Sequence, residues 1–371
     1  MTVRLPDHLD LIAGAPGGIG KLRGLILELA VRGKLVPQDP NDEPASQLLR
    51  RIARERGRLE TEGTCKKSKL APLSRKNKQP LLIPSSWEFV FLGDVVDMIN
   101  GRAFKPTDWL PRGLPIVRIQ NLNNSQAPFN FCDPEAIADR HLIRDGDLLI
   151  SWSGTPGTSF GAFIWERGIA ALNQHIFRCI QVGDSFWKQF LRLAINSQLS
   201  VLIARAQGGV GLQHVTKGTL ESLSLPLPPL AEQHRIVAKV DELMALCDRL
   251  EAEQADAEGA HARLVDTLLG SLTQSTDAAE LAANWQRLAE HFATLFTTES
   301  SLDALKQTIL QLAVMGKLVP QDPKDEPASE LLKRNGKERA KLEAAGICKK
   351  SKAMPLVGED EQPFELPEGW M

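Results

Sequence analysis

LPLPPLAEQHRIVAKVDELMALCDRLE, running from Leu225 to Glu251, is where the chain changes its period. Pro226, Pro228 and Pro229 lack a backbone N–H and cannot continue a regular ladder or a helix interior, so they close whatever precedes them. From Leu230 onward Ile236, Val240, Leu243, Cys247 and Leu250 follow alternating steps of four and three, with Glu, Asp, Lys and Arg on the other faces. That is a heptad seam. Gln254, Ala257 and His261 weaken it, and Leu264 and Leu268 resume it. A helix from Leu230 to about Gly270 would be about 60 Å long at 1.5 Å per residue. Its apolar stripe needs a partner, most simply a helix of the same chain running back beside it.

Upstream of the prolines the text is different. WEFVFLGDVVDMINGRAF, GLPIVRIQNL, GDLLISWSG, GAFIWERGIAAL and HIFRCIQVG are short β-branched and aromatic runs punctuated by Gly, Pro, Asn and Asp. Such runs read as strands. One stretch, Ser185–Ala206, has a helical pattern. The expected fold class is α+β: one strand-rich mixed globular domain, residues 83–226, plus long antiparallel coiled-coil-like helices.

The flanks of this domain repeat one another. Aligning Leu22 with Leu305, an offset of 283, matches residues 22–73 to 305–356 without a gap, with about two thirds of positions identical. GKLVPQDPNDEPASQLL (Gly33–Leu49) returns as GKLVPQDPKDEPASELL (Gly316–Leu332), and Pro84-Ser-Ser-Trp87 falls on Pro367-Glu-Gly-Trp370. Each copy reads as helix, proline turn, helix. Leu22–Val31 carries an apolar stripe, Gly33 stands where a C-terminal cap would, and Ala45–Glu62 is a second helix rich in Arg and Glu. The nine-residue, three-proline connection is too long for a DNA-binding helix-turn-helix. The period is also far beyond the 20–50 residues of a solenoid.

The composition bounds the function. Forty-four basic against 46 acidic residues leave a net charge of −2, so any basic surface must be local. The five cysteines, Cys65, Cys132, Cys179, Cys247 and Cys348, form no metal-spaced pair and read as reduced thiols of a cytoplasmic protein. No apolar run approaches the ~20 residues that cross a membrane. GAPGGIGKL fails as a phosphate loop, because Ala15 and Leu22 replace its glycine and its Ser/Thr. SWSGTPG (Ser151–Gly157) is followed by no clear helix, so it reads as a polar loop and not as a nucleophile elbow. Enzyme chemistry is largely missing.

Binding chemistry is not. CKKSKLAPLSRKNKQ, with Lys66 and Lys67, is basic without one acid and would suit phosphates. Loops of the strand-rich domain carry Arg102, Lys105, Arg118, Gln120, Asn121, Asn123, Thr155, Gln174, His175, Gln207, Gln213, His214 and Lys217. Arg and Lys match guanine O6/N7, and Asn and Gln match adenine N6/N7. As a set they are the expected base readers.

LPLPPLAEQHRIVAKVDELMALCDRLE closely resembles the conserved segment after the first target-recognition domain of specificity subunits of type I restriction–modification systems. The duplicated GKLVPQDP…DEPASxLL, the opening WEFVFLGDVVDMINGRAF and GDLLISWSGTPG are similar to that family too. The resemblance implies a non-catalytic subunit whose recognition domains each read half of a split site in double-stranded DNA. Conserved helices space them and dock methyltransferase subunits, which carry S-adenosylmethionine; this chain would hold no cofactor of its own. A translocase/nuclease subunit joins the complex. The helical contacts with the methyltransferase are expected at Leu25, Leu29, Ile236, Val240, Leu243, Leu250, Ile309 and Leu312.

On this reading residues 1–21 are a flexible segment and 22–82 the first conserved helical region. Residues 83–226 are the recognition domain, 227–300 the spacer helix and its successor, and 301–356 the second conserved copy. Residues 357–371 begin a second recognition domain. With one recognition domain, two chains could pair as a homodimer on a palindromic, interrupted site.

Overall fold

A computed structural model describes residues 15, 17–63, 82–154, 160–184, 186–198, 213–349, 364, 366, 367, 369 and 370. The chain forms two compact units, Met1–Glu251 and Ala252–Met371.

The first unit opens with a hairpin of α1 (Gly18–Val31) and α2 (Ala45–Thr61). Gly33, at φ +65°, ends α1: its N–H reaches Ala30 O (3.3 Å) and the Lys34 N–H reaches Leu29 O (2.9 Å). This is a Schellman turn, which needs a left-handed residue and favours glycine. A β-carbon at Gly33 would also overlap Pro84 and Trp87, so the turn and the PSSW segment pack backbone to ring.

The chain then enters β1 (Glu88–Phe91), a one-turn α3 (Leu92–Val95) and β2 (Val96–Asn100). β3 (Leu114–Val117), the short α4 (Ile119–Asn123), β4 (Asn130–Cys132) and β5 (Leu142–Ile143) follow. β6 (Leu148–Ser151), β7 (Ser153–Gly154), β8 (Gly161–Ile164), β9 (Ala170–Leu172) and β10 (Ile176–Gln181) complete the middle. Two four-stranded sheets result, ordered β2-β10-β6-β8 and β4-β3-β9-β5. The first is antiparallel throughout; in the second β3 and β9 are parallel, Ile116 opposite Ala171. β6 is buried at all four positions, as a central strand covered on both faces must be.

The helical pattern at Ser185–Ala206 appears as α5 (Lys188–Ser197); residues 199–206 lie outside the described residues. β11 (Gln213–His214) pairs with β7, α6 (Lys217–Glu221) follows, and β12 (Ser224–Leu227) pairs with β1. The proline run then releases α7 (Leu230–Gln274).

The hairpin is not a module apart from the strand-rich domain. Leu22, Ile26, Leu48 and Ile52 share one buried cluster with Trp87, Phe190, Leu225, Ile236, Val240 and Cys247. Each large side chain so buried contributes about 1.5–3 kcal/mol. α1 lies antiparallel to the start of α7: Arg23 pairs with Asp248 (2.7 Å) and Glu251 (2.6 Å), while Gln38, beyond the end of α1, meets Glu232. The helix expected to run back beside the seam is thus the N-terminal one.

This packing corrects part of the expected docking surface. Ile236 and Val240 are fully buried against their own chain and offer nothing to a separate protein. Leu243 and Leu250 are half-buried, and Leu25 is exposed beside a half-buried Leu29.

The second unit contains the remainder of α7, α8 (Ala278–Glu290), a one-turn α9 (Phe292–Leu295), α10 (Glu299–Val314) and α11 (Ala328–Ala344). Val265, Leu269, Leu272, Leu288, Leu295, Phe296, Leu305 and Leu312 form its core. α8 runs back along α7, where Asn284 Nδ2 donates to Ser271 O (3.2 Å). Leu312 is therefore another expected docking residue that is buried in its own chain, with Ile309 packed partly against the same core. Gly316 (φ +66°) repeats the Gly33 turn, with Gly316 N–H on Ala313 O and Lys317 N–H on Leu312 O. A β-carbon there would overlap Pro367, the counterpart of Pro84.

Candidate nucleic-acid interface

Parallel pairing of β3 with β9 brings two distant loops together. The segment after β3 carries Arg118, Ile119 and Gln120, and the segment after β9 carries Asn173, Gln174 and His175. With Phe104, Trp109 and Ile116 they line an open cleft of about 370 Å³. The Arg102 backbone bridges to Asn173, and Arg102 N–H donates to Leu172 O (2.8 Å), which ties the Phe104 loop to the same edge.

The cleft pairs cations and amides with aromatic faces. The Arg118 guanidinium lies 5.9 Å from the centre of the exposed Trp109 ring, and its Nη1 donates weakly to Asn130 Oδ1 (3.4 Å). Gln120 is exposed, its amide within 3.5 Å of Pro128 O. Gln174 Nε2 lies 3.3 Å from His175 Nε2, and the His175 ring is tilted against Trp152, 5.4 Å between centres. The exposed Gln120 amide and the Arg118 guanidinium, each held by one long contact, can exchange partners. Four expected readers, Arg118, Gln120, Gln174 and His175, therefore converge.

Others do not. Asn121 is fully buried. Its Oδ1 accepts the Arg118 N–H (3.0 Å), and its Nδ2 donates to Ala127 O (3.1 Å) and Pro128 O (3.2 Å). A side-chain amide used on both ends to close a loop cannot reach a base, so Asn121 is corrected from reader to structural cap. Asn123 is exposed and returns its amide to Ile119 O. Arg102 lies over Phe104 (5.2 Å) and donates to Ala136 O (2.7 Å), which holds the loop. Lys105 is exposed, and its backbone N–H is capped by Asp108.

Lys217 lies outside the cleft residues. Its ammonium donates to Met98 O (2.8 Å) and lies 3.7 Å from both Asp97 and Glu221. Lys66, Lys67, Thr155 and Gln207 lie outside the described residues. Gln213 and His214 are described as the strand opposite Gly154 and Ser153.

Sequence reading missed Phe104, Trp109 and Asn173. The signal was present in GRAFKPTDWLP, where aromatic residues alternate with Arg and Lys. The arrangement offers bidentate amides, one guanidinium and flat apolar walls, and among the described residues it places no nucleophile–base pair in the cleft.

The family of the type I restriction modification DNA specificity domain matches residues 84–258. The chain is 42% identical over 361 residues to the type I restriction enzyme EcoAI specificity subunit of Escherichia coli, covering 95% of this chain and 61% of that one. It is also 42% identical over 367 residues to the EcoEI specificity subunit of Escherichia coli, covering 95% and 60%. The chain thus spans about three fifths of the length of these relatives. The HsdS subunit from Thermoanaerobacter tengcongensis aligns in structure with a TM-score of 0.39 at 21% identity, covering 66% of this chain and 54% of that one.

Proposed function

We propose, for a chain that belongs to the specificity subunits of type I restriction–modification systems, that its strand-rich domain reads one half-site of double-stranded DNA. The observation that carries this reading is the convergence of Arg118, Gln120, Gln174 and His175 on an aromatic-walled cleft inside the matched domain. Arg can hold guanine O6/N7 and a Gln amide adenine N6/N7, each good bidentate pair discriminating by about 1–3 kcal/mol. Trp109 and Phe104 give apolar contact for sugars or a thymine methyl.

In this reading the chain supplies recognition and its partners supply chemistry. Methyltransferase subunits bring S-adenosylmethionine and methylate adenine, and a translocase/nuclease subunit restricts unmodified DNA. With Ile236, Val240 and Leu312 inside the chain, the surfaces left for the methyltransferase centre on Leu25 and Leu29, with Leu243, Leu250 and Ile309 at the edges.

The test is methylome sequencing of cells that carry this chain with its methyltransferase. An interrupted adenine-methylation motif supports the reading, and a symmetric one indicates that two chains pair. No motif, with the methyltransferase still bound to the chain, overturns it in favour of an interaction protein that does not read DNA.

A further inference from the structure

One amide in the cleft has its polarity set by the backbone beside it. Asn173 opens the tight turn between β9 and β10, in which the Ile176 N–H closes on Asn173 O (3.1 Å). Asparagine suits the first position of such a turn, because its side-chain oxygen can take a backbone N–H of the turn. Asn173 Oδ1 accepts the Gln174 N–H (2.7 Å). The amide nitrogen is left over. Among the described residues Nδ2 makes no hydrogen bond, it is not shut away from solvent, and Asn173 lines the cleft.

The turn itself is held on both sides. Asn173 N–H donates to Val117 O (3.1 Å), Arg102 N–H to Leu172 O (2.8 Å) and Gly101 N–H to Ile176 O (3.1 Å). A β-carbon at Gly101 would overlap Asn173 O, so glycine there lets the two backbones meet. Turning the Asn173 amide over would set its NH₂ against the Gln174 N–H, two donors face to face. Gln120 and Gln174 differ in this respect. Their side-chain amides make only long contacts, 3.5 Å to Pro128 O and 3.3 Å to His175 Nε2, and can rotate to suit either kind of base edge.

We infer that Asn173 is a further specificity-determining residue of this cleft and that it reads DNA as a donor only, accepting guanine, adenine or thymine at one position and rejecting cytosine. In the major groove guanine presents N7 and O6, adenine N7 and thymine O4 as acceptors, whereas cytosine presents only its N4 amino donor. Opposite Nδ2 that amino group would leave two donors unpaired in a desolvated contact. The inference rests on the reading that this domain recognises DNA, and it adds the polarity of one contact.

Asn173→Asp is the direct test. One carboxylate oxygen still accepts the Gln174 N–H, while the other puts an acceptor where Nδ2 stood, and an aspartate accepts from cytosine N4. The assay is competition mobility shifts of the full chain with its methyltransferase, on the methylated motif and its single-base variants. Wild type should disfavour cytosine about tenfold at one half-site position. Asn173→Asp should shift the ratio at that position toward cytosine by at least about tenfold. Its added charge weakens all sequences about equally, so the ratio between bases is the readout. Asn173→Ala, which removes the donor without adding charge, should flatten the cytosine penalty there and leave the other positions alone. Thermal melts should place Asn173→Asp with wild type and Asn173→Ala below it, because the turn's cap survives only in the first. A residue that merely caps the turn would move the melts and not the ratios. Wild type without any sequence preference overturns the DNA reading itself. Wild type that selects a sequence, with both variants keeping its preference at every position, overturns this inference alone. So does a wild type that favours cytosine at the position the variants alter.

Discussion

Trp87 donates its indole N–H to the buried carboxylate of Glu232, across 145 residues of sequence. This bond joins the PSSW segment to the start of α7, and Gln38 completes the acceptor's shell. Burial pushes the Glu232 carboxyl above the usual 4.5, and the hydrogen bonds from Trp87 and Gln38 only partly oppose it. The folded state then holds the proton more tightly than the unfolded chain. Its stabilising effect is complete below the unfolded value and is lost as pH rises through the folded one. Glu232→Gln keeps an acceptor and removes the titration. Thermal melts from pH 4 to 8 should show wild type losing ground to the Gln variant as pH rises; parallel profiles would refute the assignment. Glu232→Ala strands the buried Trp87 N–H and should cost on the order of 1–3 kcal/mol at any pH in that range.

Asn121→Ala tests the correction made at the interface. The side chain satisfies one N–H and two carbonyls in a fully buried site. Its removal should lower stability in urea unfolding by on the order of 1–3 kcal/mol, with sequence preference unchanged in the folded fraction. A stable variant with relaxed preference at one base pair would restore Asn121 as a reader.

Much of the architecture was legible because periodicity reports burial. The seam Ile236, Val240, Leu243, Cys247, Leu250 and the strand runs both declare which faces are dry. Periodicity does not say what covers them, so Ile236 and Val240 were expected at a foreign surface and pack on α1 instead. The repeat was visible by eye, yet the contrast between its copies needed coordinates, since identical letters are buried at Trp87 and exposed at Trp370. At the interface, amide letters alone cannot separate an Asn that caps a loop from a Gln that faces water. Nor could they bring residues 118–120 to 173–175, because parallel pairing of short strands leaves no local signature.

Gly33→Ala should be worse than Gly63→Ala, although both glycines are left-handed, at φ +65° and +72°. Each substitution carries the αL cost of about 1–2 kcal/mol. At Gly63 the added carbon meets open space, whereas at Gly33 it meets Pro84 and Trp87. Paired chemical denaturation should show the larger loss at Gly33; equal losses would mean that the PSSW segment yields without cost.

Discrimination among DNA sequences should reside in the cleft and not in every basic residue of the domain. Gln174→Ala or Gln120→Ala should cost on the order of 1–3 kcal/mol on the cognate site and relax preference at one position. Trp109→Ala removes an exposed ring beside Arg118 and should weaken binding without folding loss. Lys217→Ala is the contrast. Its ammonium is committed to Met98 O, Asp97 and Glu221, so its loss should register in thermal stability while the preferred sequence stays the same. Competition mobility shifts with single-base variants of the methylated motif measure both quantities. A Lys217 variant that relaxes one position, with Gln120 and Gln174 variants unchanged, would move the reading surface away from the cleft.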